Sequence, residues 1–177
     1  FEAIVSGDST GTGFELAYLN PVIFYRAAEH YTGSNSSNAM VGADAQWNFL
    51  NRFQLYGQLV LDEFVLSHMR ARDGWWANKW ATQLGLKYID VFGIENLDFQ
   101  AEWNRARPFM YSHISSHTNY THYAQPLAHP LGANFDEKLM AIKYQPLRRL
   151  FVEARYMTAN HGKDDGSTTF GGDIYKS

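Results

Sequence analysis

The chain of 177 residues has no cysteine, which excludes disulfide staples and thiol chemistry and leaves the compartment open. It has no stretch of about eighteen apolar residues, so a membrane-spanning helix is excluded. A mean hydropathy of −0.38 remains compatible with a barrel whose interior is polar. There is no basic run and the formal charge is −3, both of which argue against a nucleic-acid partner. Neither a Ser-His-Asp order, nor a glycine-rich phosphate loop, nor a nucleophile elbow occurs.

Aromatic residues are abundant. Twelve Phe, eleven Tyr and five Trp make up 16% of the chain, a supply suited to aromatic girdles at membrane interfaces and to platforms for stacking sugars. Their placement follows period two. Over 41–49, Val41, Ala43, Ala45, Trp47 and Phe49 share one face and Gly42, Asp44, Gln46 and Asn48 the other. After a tight turn at Asn51-Arg52 the pattern resumes over 53–62, with Phe53, Leu55, Gly57, Leu59 and Leu61 opposite Gln54, Tyr56, Gln58, Val60 and Asp62. Strands of about ten residues with one apolar and one wet face, alternating short turns with long loops, point to an all-β, antiparallel, transmembrane outer-membrane β-barrel. The competing reading is a soluble β-sandwich lectin, since β-propensity alone also enriches aromatics.

Further strands are expected at 14–19 and 22–31, interrupted by Asn20-Pro21, with a turn over Gly33 to Asn38. Others are expected at 79–89 and at 97–104, where Leu97, Phe99, Ala101 and Trp103 alternate with Asp98, Gln100, Glu102 and Asn104. A hairpin follows, 138–144 and 150–157, turning around Gln145-Pro146-Leu147, and another strand opens at 169–176. Short connections then fall at 50–52, 90–96 and 145–149, and long ones at 63–78, 105–137 and 159–168, the alternation of periplasmic turns with extracellular loops. The chain is read as a single β-barrel domain over 1–177. It starts at Phe1 and reaches Ser177 within an apparent strand, so part of a larger barrel is expected.

Inward charges at Asp62, Asp98, Glu102, Lys143, Glu153 and Arg155 suit a hydrated lumen. The pairs Asp62-Glu63 and Asp98/Glu102 resemble glycosidase carboxylates, but inward charges of barrels commonly form structural ladders, so no catalytic residue is assigned. The loop 105–137 gathers four of the seven histidines, His113, His117, His122 and His129, with Tyr111, Tyr120 and Tyr123. No carboxylate or cysteine lies between Arg105 and Asn134 to complete a metal site, so neither metal nor cofactor is expected. The candidate ligand-binding set is Arg105, Arg107, Tyr111, His113, His117, Tyr120 and His122. Aromatic and imidazole rings there are suited to stacking on sugar faces, and the guanidinium forks to binding acidic groups.

Several stretches carry a family likeness: Asn20-Pro21-Val22-Ile23-Phe24-Tyr25-Arg26, Leu55-Tyr56-Gly57-Gln58 with Leu61-Asp62-Glu63-Phe64, Gly74-Trp75-Trp76-Ala77-Asn78-Lys79, Glu102-Trp103-Asn104-Arg105-Ala106-Arg107-Pro108, and Tyr123 through Asn134. Together, over about residues 20 to 157, they resemble the Wzi-like capsule-assembly outer-membrane proteins, and most of all the RemB-type proteins of gliding motility. The resemblance implies a larger barrel in a bacterial outer membrane, concerned with surface polysaccharide or adhesion and without enzyme activity. Its implied partners are outer-membrane lipid, surface polysaccharide and other envelope proteins of a motility or secretion machinery. The remaining alternatives are a passive channel and a hydrolase built on Asp98 and Glu102.

Overall fold

The structure, a computed structural model, describes residues 2–5, 37–62, 79–112, 119–123, 125–164 and 170. It is all-β and antiparallel. The strands are β1 (Glu2–Val5), β2 (Ser37–Phe49), β3 (Phe53–Leu61), β4 (Trp80–Tyr88), β5 (Leu97–Ala106), β6 (Thr121–His122), β7 (Gln125–Pro126), β8 (Phe135–Leu147) and β9 (Leu150–His161). Seven of them form one sheet in the order β1-β2-β3-β4-β5-β8-β9, while β6 and β7 make a separate two-residue ladder. Among the described residues the sheet does not close on itself. No helix among them is long and apolar enough to cross a membrane, which says nothing about crossing by strands.

Strict alternation sets the register, because a slip of one residue would turn every side chain to the opposite face. Phe49, Phe53, Tyr88 and Phe99 fall in one cross-strand row beside the short turns. Their rings touch in sequence: Phe49 lies 5.4 Å from Phe53, and Phe53 stacks on Tyr88 at 4.3 Å. Trp47 joins the row at 4.9 Å from Phe49. Above this row the face carries Leu55, Leu59, Leu84, Met140, Ile142 and Val152, each about half exposed. Trp80 and Trp103 stand toward the far end, where the Arg105 guanidinium lies 5.8 Å from the Trp80 ring and the Trp103 indole N–H donates to Asp136 at 3.0 Å. So large and continuous an exposed apolar face requires a cover.

The opposite face is polar through its middle and turns apolar at the end away from the short turns. There Val60, Ala81, Ala106, Phe135 and His161 form one row across β3, β4, β5, β8 and β9. The segment after β5 folds over that row, so Met40, Ala81, Ala106, Met110, Ala133 and Phe135 make the core. Met110 and Ala133 are wholly buried.

Several expected boundaries move. The turn expected at Gln145-Pro146-Leu147 is strand: Pro146 sits in a register shift between Tyr144 and Leu147, where its missing N–H costs no ladder bond, and the chain reverses at Arg148-Arg149. The long loop expected over 105–137 is shorter at both ends, because Arg105 pairs with Asp136 and Ala106 with Phe135. Burial drives that extension: Ala106 and Phe135 gain cover from the segment above them. The last loop, expected from Ala159, begins after His161, which still pairs with Phe135. Ser37 and Asn38, expected in a turn, pair with Val5 and Ile4. The strands expected at 14–19 and 22–31 and the loop at 63–78 lie outside the described residues, as does the strand at 169–176 except for Phe170.

Candidate functional site

Glu102 is the hub of the polar face. Its carboxylate accepts hydrogen bonds from the Tyr56 hydroxyl (2.6 Å), Gln83 Nε2 (3.1 Å), Gln100 Nε2 (3.0 Å) and Asn104 Nδ2 (3.0 Å). These donors come from β3, β4 and β5, so the carboxylate ties three strands across their shared face. Asn104 extends the network by donating also to Glu137 Oε2 on β8 at 2.9 Å. Both Asn104 and Glu137 are 5% exposed.

From Glu137 the network reaches the covering segment. His129 Nε2 lies 3.2 Å from the Glu137 carboxylate, and His129 Nδ1 accepts the Leu131 backbone N–H at 3.2 Å. That second contact assigns the proton of the neutral ring to Nε2, which then donates to Glu137. The imidazole stacks on Phe135 with centroids 4.4 Å apart. Farther along, His161 Nε2 donates to the Ala133 carbonyl at 3.1 Å, and the Asn134 N–H to the Arg107 carbonyl at 3.2 Å. Lys79, almost fully buried, donates to the Ser112 carbonyl at 2.8 Å. The described parts of the stretch between β5 and β8 are therefore fastened to the sheet through Arg107, Ser112, His129, Ala133 and Asn134.

Between the segment and the sheet lies a cavity of about 360 Å³ lined by Gln58, Gln83 and Asn104 below and by Tyr111, Tyr120 and His129 above. The two tyrosine rings are 5.9 Å apart, held by a Tyr120 N–H donated to the Tyr111 carbonyl. The Tyr111 phenol is pushed up to about 12, first by burial and then by the Asp62 carboxylate. Since the folded value lies above the ordinary 10.0, the stability contributed by the neutral phenol is complete below about pH 10 and is lost as pH rises toward 12. Tyr111→Phe is expected to remove one tyrosinate absorbance step near pH 12; an unchanged alkaline titration would contradict the burial of this phenol.

The candidate residues read from sequence are thus separated. Tyr111 and Tyr120 meet at the cavity. Arg105 has the parity of Trp103, so its guanidinium lies against Trp80, and the residue also lines the cavity next to Asn104. Arg107 contributes its backbone, donating to the Trp80 carbonyl. His122 is exposed on the small β6–β7 ladder with its ring against Tyr123 at 4.3 Å, and His113 and His117 lie outside the described residues. Of the six charges expected to face inward, Glu102 is the hub, while Asp98 accepts the Asp90 backbone N–H at 3.2 Å and so braces the short turn. Lys143 lies between Asp98 and Glu153 in the register, and Glu153 is bonded to Arg155, giving opposite charges as neighbours. Asp62 follows β3, its N–H donated to the Lys79 carbonyl.

Asn104, His129 and Glu137 were missing from the expected site. The parity of Asn104 with Glu102 carries a signal for the first. Glu137 carries none once it is assigned to a loop. Among the described residues no cluster of three or more His, Cys, Asp or Glu is placed to hold a metal ion.

No curated protein and no solved structure matches the chain. The family model for the capsule assembly protein Wzi matches residues 4–174. A match over nearly the whole length, on a sheet with one apolar and one polar face, settles the relationship: the chain belongs to the Wzi capsule-assembly family.

Proposed function

We propose that this chain forms part of an outer-membrane β-barrel that holds capsular polysaccharide at the bacterial cell surface without turning it over. The family match supports the capsule reading, and the observation that carries the membrane reading is the exposed apolar face. Nine residues from Trp80 to Tyr88 span about 27 Å of strand, which at a barrel tilt of roughly 40° rises about 21 Å, near the height of a lipid-facing band. Aromatic rings flank that band at both ends, as girdles do. Lipid is the cover such a face needs, and the polar face then lines the lumen.

The non-enzymatic reading draws support from the carboxylates. Glu102 already accepts four hydrogen bonds, and Asp98 holds a backbone N–H, so neither is poised as an acid or nucleophile. The packing of Met110, Tyr111, Tyr120, Leu131 and Ala133 over the lumenal face stands against an open passive channel. The exposed rings of His122 and Tyr123, the latter 89% exposed, are offered to a glycan outside the cell. A role in gliding motility or adhesion, with other envelope proteins as partners, is the narrower form of this reading suggested by the RemB-type resemblance.

The test compares cell-bound with released polysaccharide in a strain lacking the protein and complemented with wild type or with a His122→Ala/Tyr123→Ala variant. Loss of about 1 kcal/mol of ring stacking weakens binding about five-fold, so retention is expected to fall and released polysaccharide to rise. Equal retention in the complemented and uncomplemented strains would overturn the capsule reading.

A further inference from the structure

Charge on the apolar face of the sheet is confined to one place. Every second residue of 41–49, 53–61, 80–88, 97–105, 136–144 and 152–160 points outward, as the register of β2, β3, β4, β5, β8 and β9 requires. Among these positions only Arg105, Asp136 and Lys138 carry a charge. Arg105 stands opposite Asp136 and Lys138 opposite Trp103. The three therefore adjoin one another at the end away from the short turns, with Arg105 and Lys138 as diagonal neighbours.

The carboxylate of this cluster is already engaged, since Asp136 accepts the Trp103 indole N–H at 3.0 Å. Arg105, although directly opposite Asp136, turns to the other neighbouring strand, where its guanidinium lies 5.8 Å from the Trp80 ring. The residue also lines the cavity, but its charged group is the part that meets Trp80. Both Arg105 and Lys138 are exposed, and among the described residues neither forms an ion pair. A cation on a lipid-facing surface is costly unless it reaches water or an anion, because hydrocarbon does not solvate it. Long stems let both heads rise to the level of the headgroups. What the patch lacks is an anion, and the membrane surface supplies one.

Position decides which headgroups are meant. The short turns mark the periplasmic side, so the patch faces the extracellular leaflet, which in an outer membrane is built of phosphorylated glycolipid. Arg105 offers a planar fork, backed by the Trp80 ring, that matches phosphate oxygens in pairs, and Lys138 offers a compact point charge. Thr158, opposite Lys138, and Asn160, opposite Asp136, are exposed and bring uncharged hydrogen-bonding groups suited to sugar hydroxyls.

We infer that the outward patch of Arg105 and Lys138, bordered by Trp80, Trp103, Thr158 and Asn160, is a docking site for the phosphorylated headgroup of an extracellular-leaflet glycolipid. The inference rests on the membrane reading above and names the lipid that this sector of the barrel holds.

The test uses the whole protein in detergent micelles, with retained lipid counted by native mass spectrometry. The probes are diphosphoryl lipid A, its fully dephosphorylated form and phosphatidylglycerol, with inorganic phosphate as competitor. Wild type is expected to retain diphosphoryl lipid A about ten-fold or more above the dephosphorylated form. Phosphatidylglycerol, which brings one phosphate to two cations, is expected to be retained less. Arg105→Gln and Lys138→Gln are each expected to weaken retention about five-fold, and together more than ten-fold, whereas Lys138→Arg keeps it. Equal retention of phosphorylated and dephosphorylated lipid A would overturn the assignment. So would equal retention of phosphatidylglycerol, displacement by inorganic phosphate at the lipid's own concentration, or undiminished retention in a double variant that stays heat-modifiable on gels. If the double variant does not fold, the comparison of lipids on wild type decides alone. A heat-modifiable barrel without phosphate preference sinks this site and leaves the membrane reading standing; a soluble, unshifted product sinks the membrane reading itself.

Discussion

Gly85→Val is expected to be among the most damaging single substitutions in the sheet, costing about 3–4 kcal/mol. Gly85 pairs with Tyr56 on one side and Glu102 on the other, and the Tyr56 ring lies across its backbone. A Cβ there would fall within the van der Waals envelope of that ring, so the absence of a side chain is what lets Tyr56 lie flat and reach Glu102. Valine would expel the ring. Overpacking accounts for about 1–3 kcal/mol, and the hydrogen bonds that Tyr56 makes to Glu102 and accepts from Gln100 add about 1–2 kcal/mol. Urea titration of the heat-modifiable band in lipid vesicles measures the loss. Tyr56→Ala removes the ring that valine strikes, so Gly85→Val should cost much less in that background. A cost as large as in wild type would show that the clash is not the cause.

Glu102→Ala is expected to cost about 2–3 kcal/mol, discounted for hydration of a half-buried polar face. The substitution leaves donors of Tyr56, Gln83, Gln100 and Asn104 without their shared acceptor, and these reside on three strands. Glu102→Gln keeps one acceptor oxygen and should lose about half as much. A cycle with Tyr56→Phe isolates the 2.6 Å bond, for which a coupling of about 1 kcal/mol or more is expected. Additive effects in that cycle would mean that Glu102 acts alone and not as the tie between β3 and β5.

The sequence by itself determined the middle of β2, β3, β4, β5, β8 and β9 and their two faces. Period-two alternation from Val41 through Leu61 fixes the faces, the short turn at 50–52 fixes the register, and Trp47 accordingly pairs with Leu55. The turns at 50–52 and 90–96 were equally legible, the first from Asn51-Arg52 between two alternating runs and the second from its shortness and Gly93. Pro146 misled because its missing N–H marks a bulge as readily as a turn, and only the pairing with β9 distinguishes the two.

The site was readable only in fragments. Loop rings such as Tyr111 and Tyr120 stood out by composition, but which of them meet depends on how the segment after β5 folds back, a matter of long-range packing. Arg105 read as a ligand fork in a loop; β5 runs to Ala106, so Arg105 is a strand residue whose guanidinium lies against Trp80 and which also lines the cavity. Glu137 and His129 acquire meaning only together, eight residues apart in the chain and 3.2 Å apart in space. Alternation is a local property, fixed by backbone geometry, and so it is written in the sequence. The cavity beneath the covering segment exists because an apolar row at the end of a polar face had to be buried, and burial is decided by the tertiary structure.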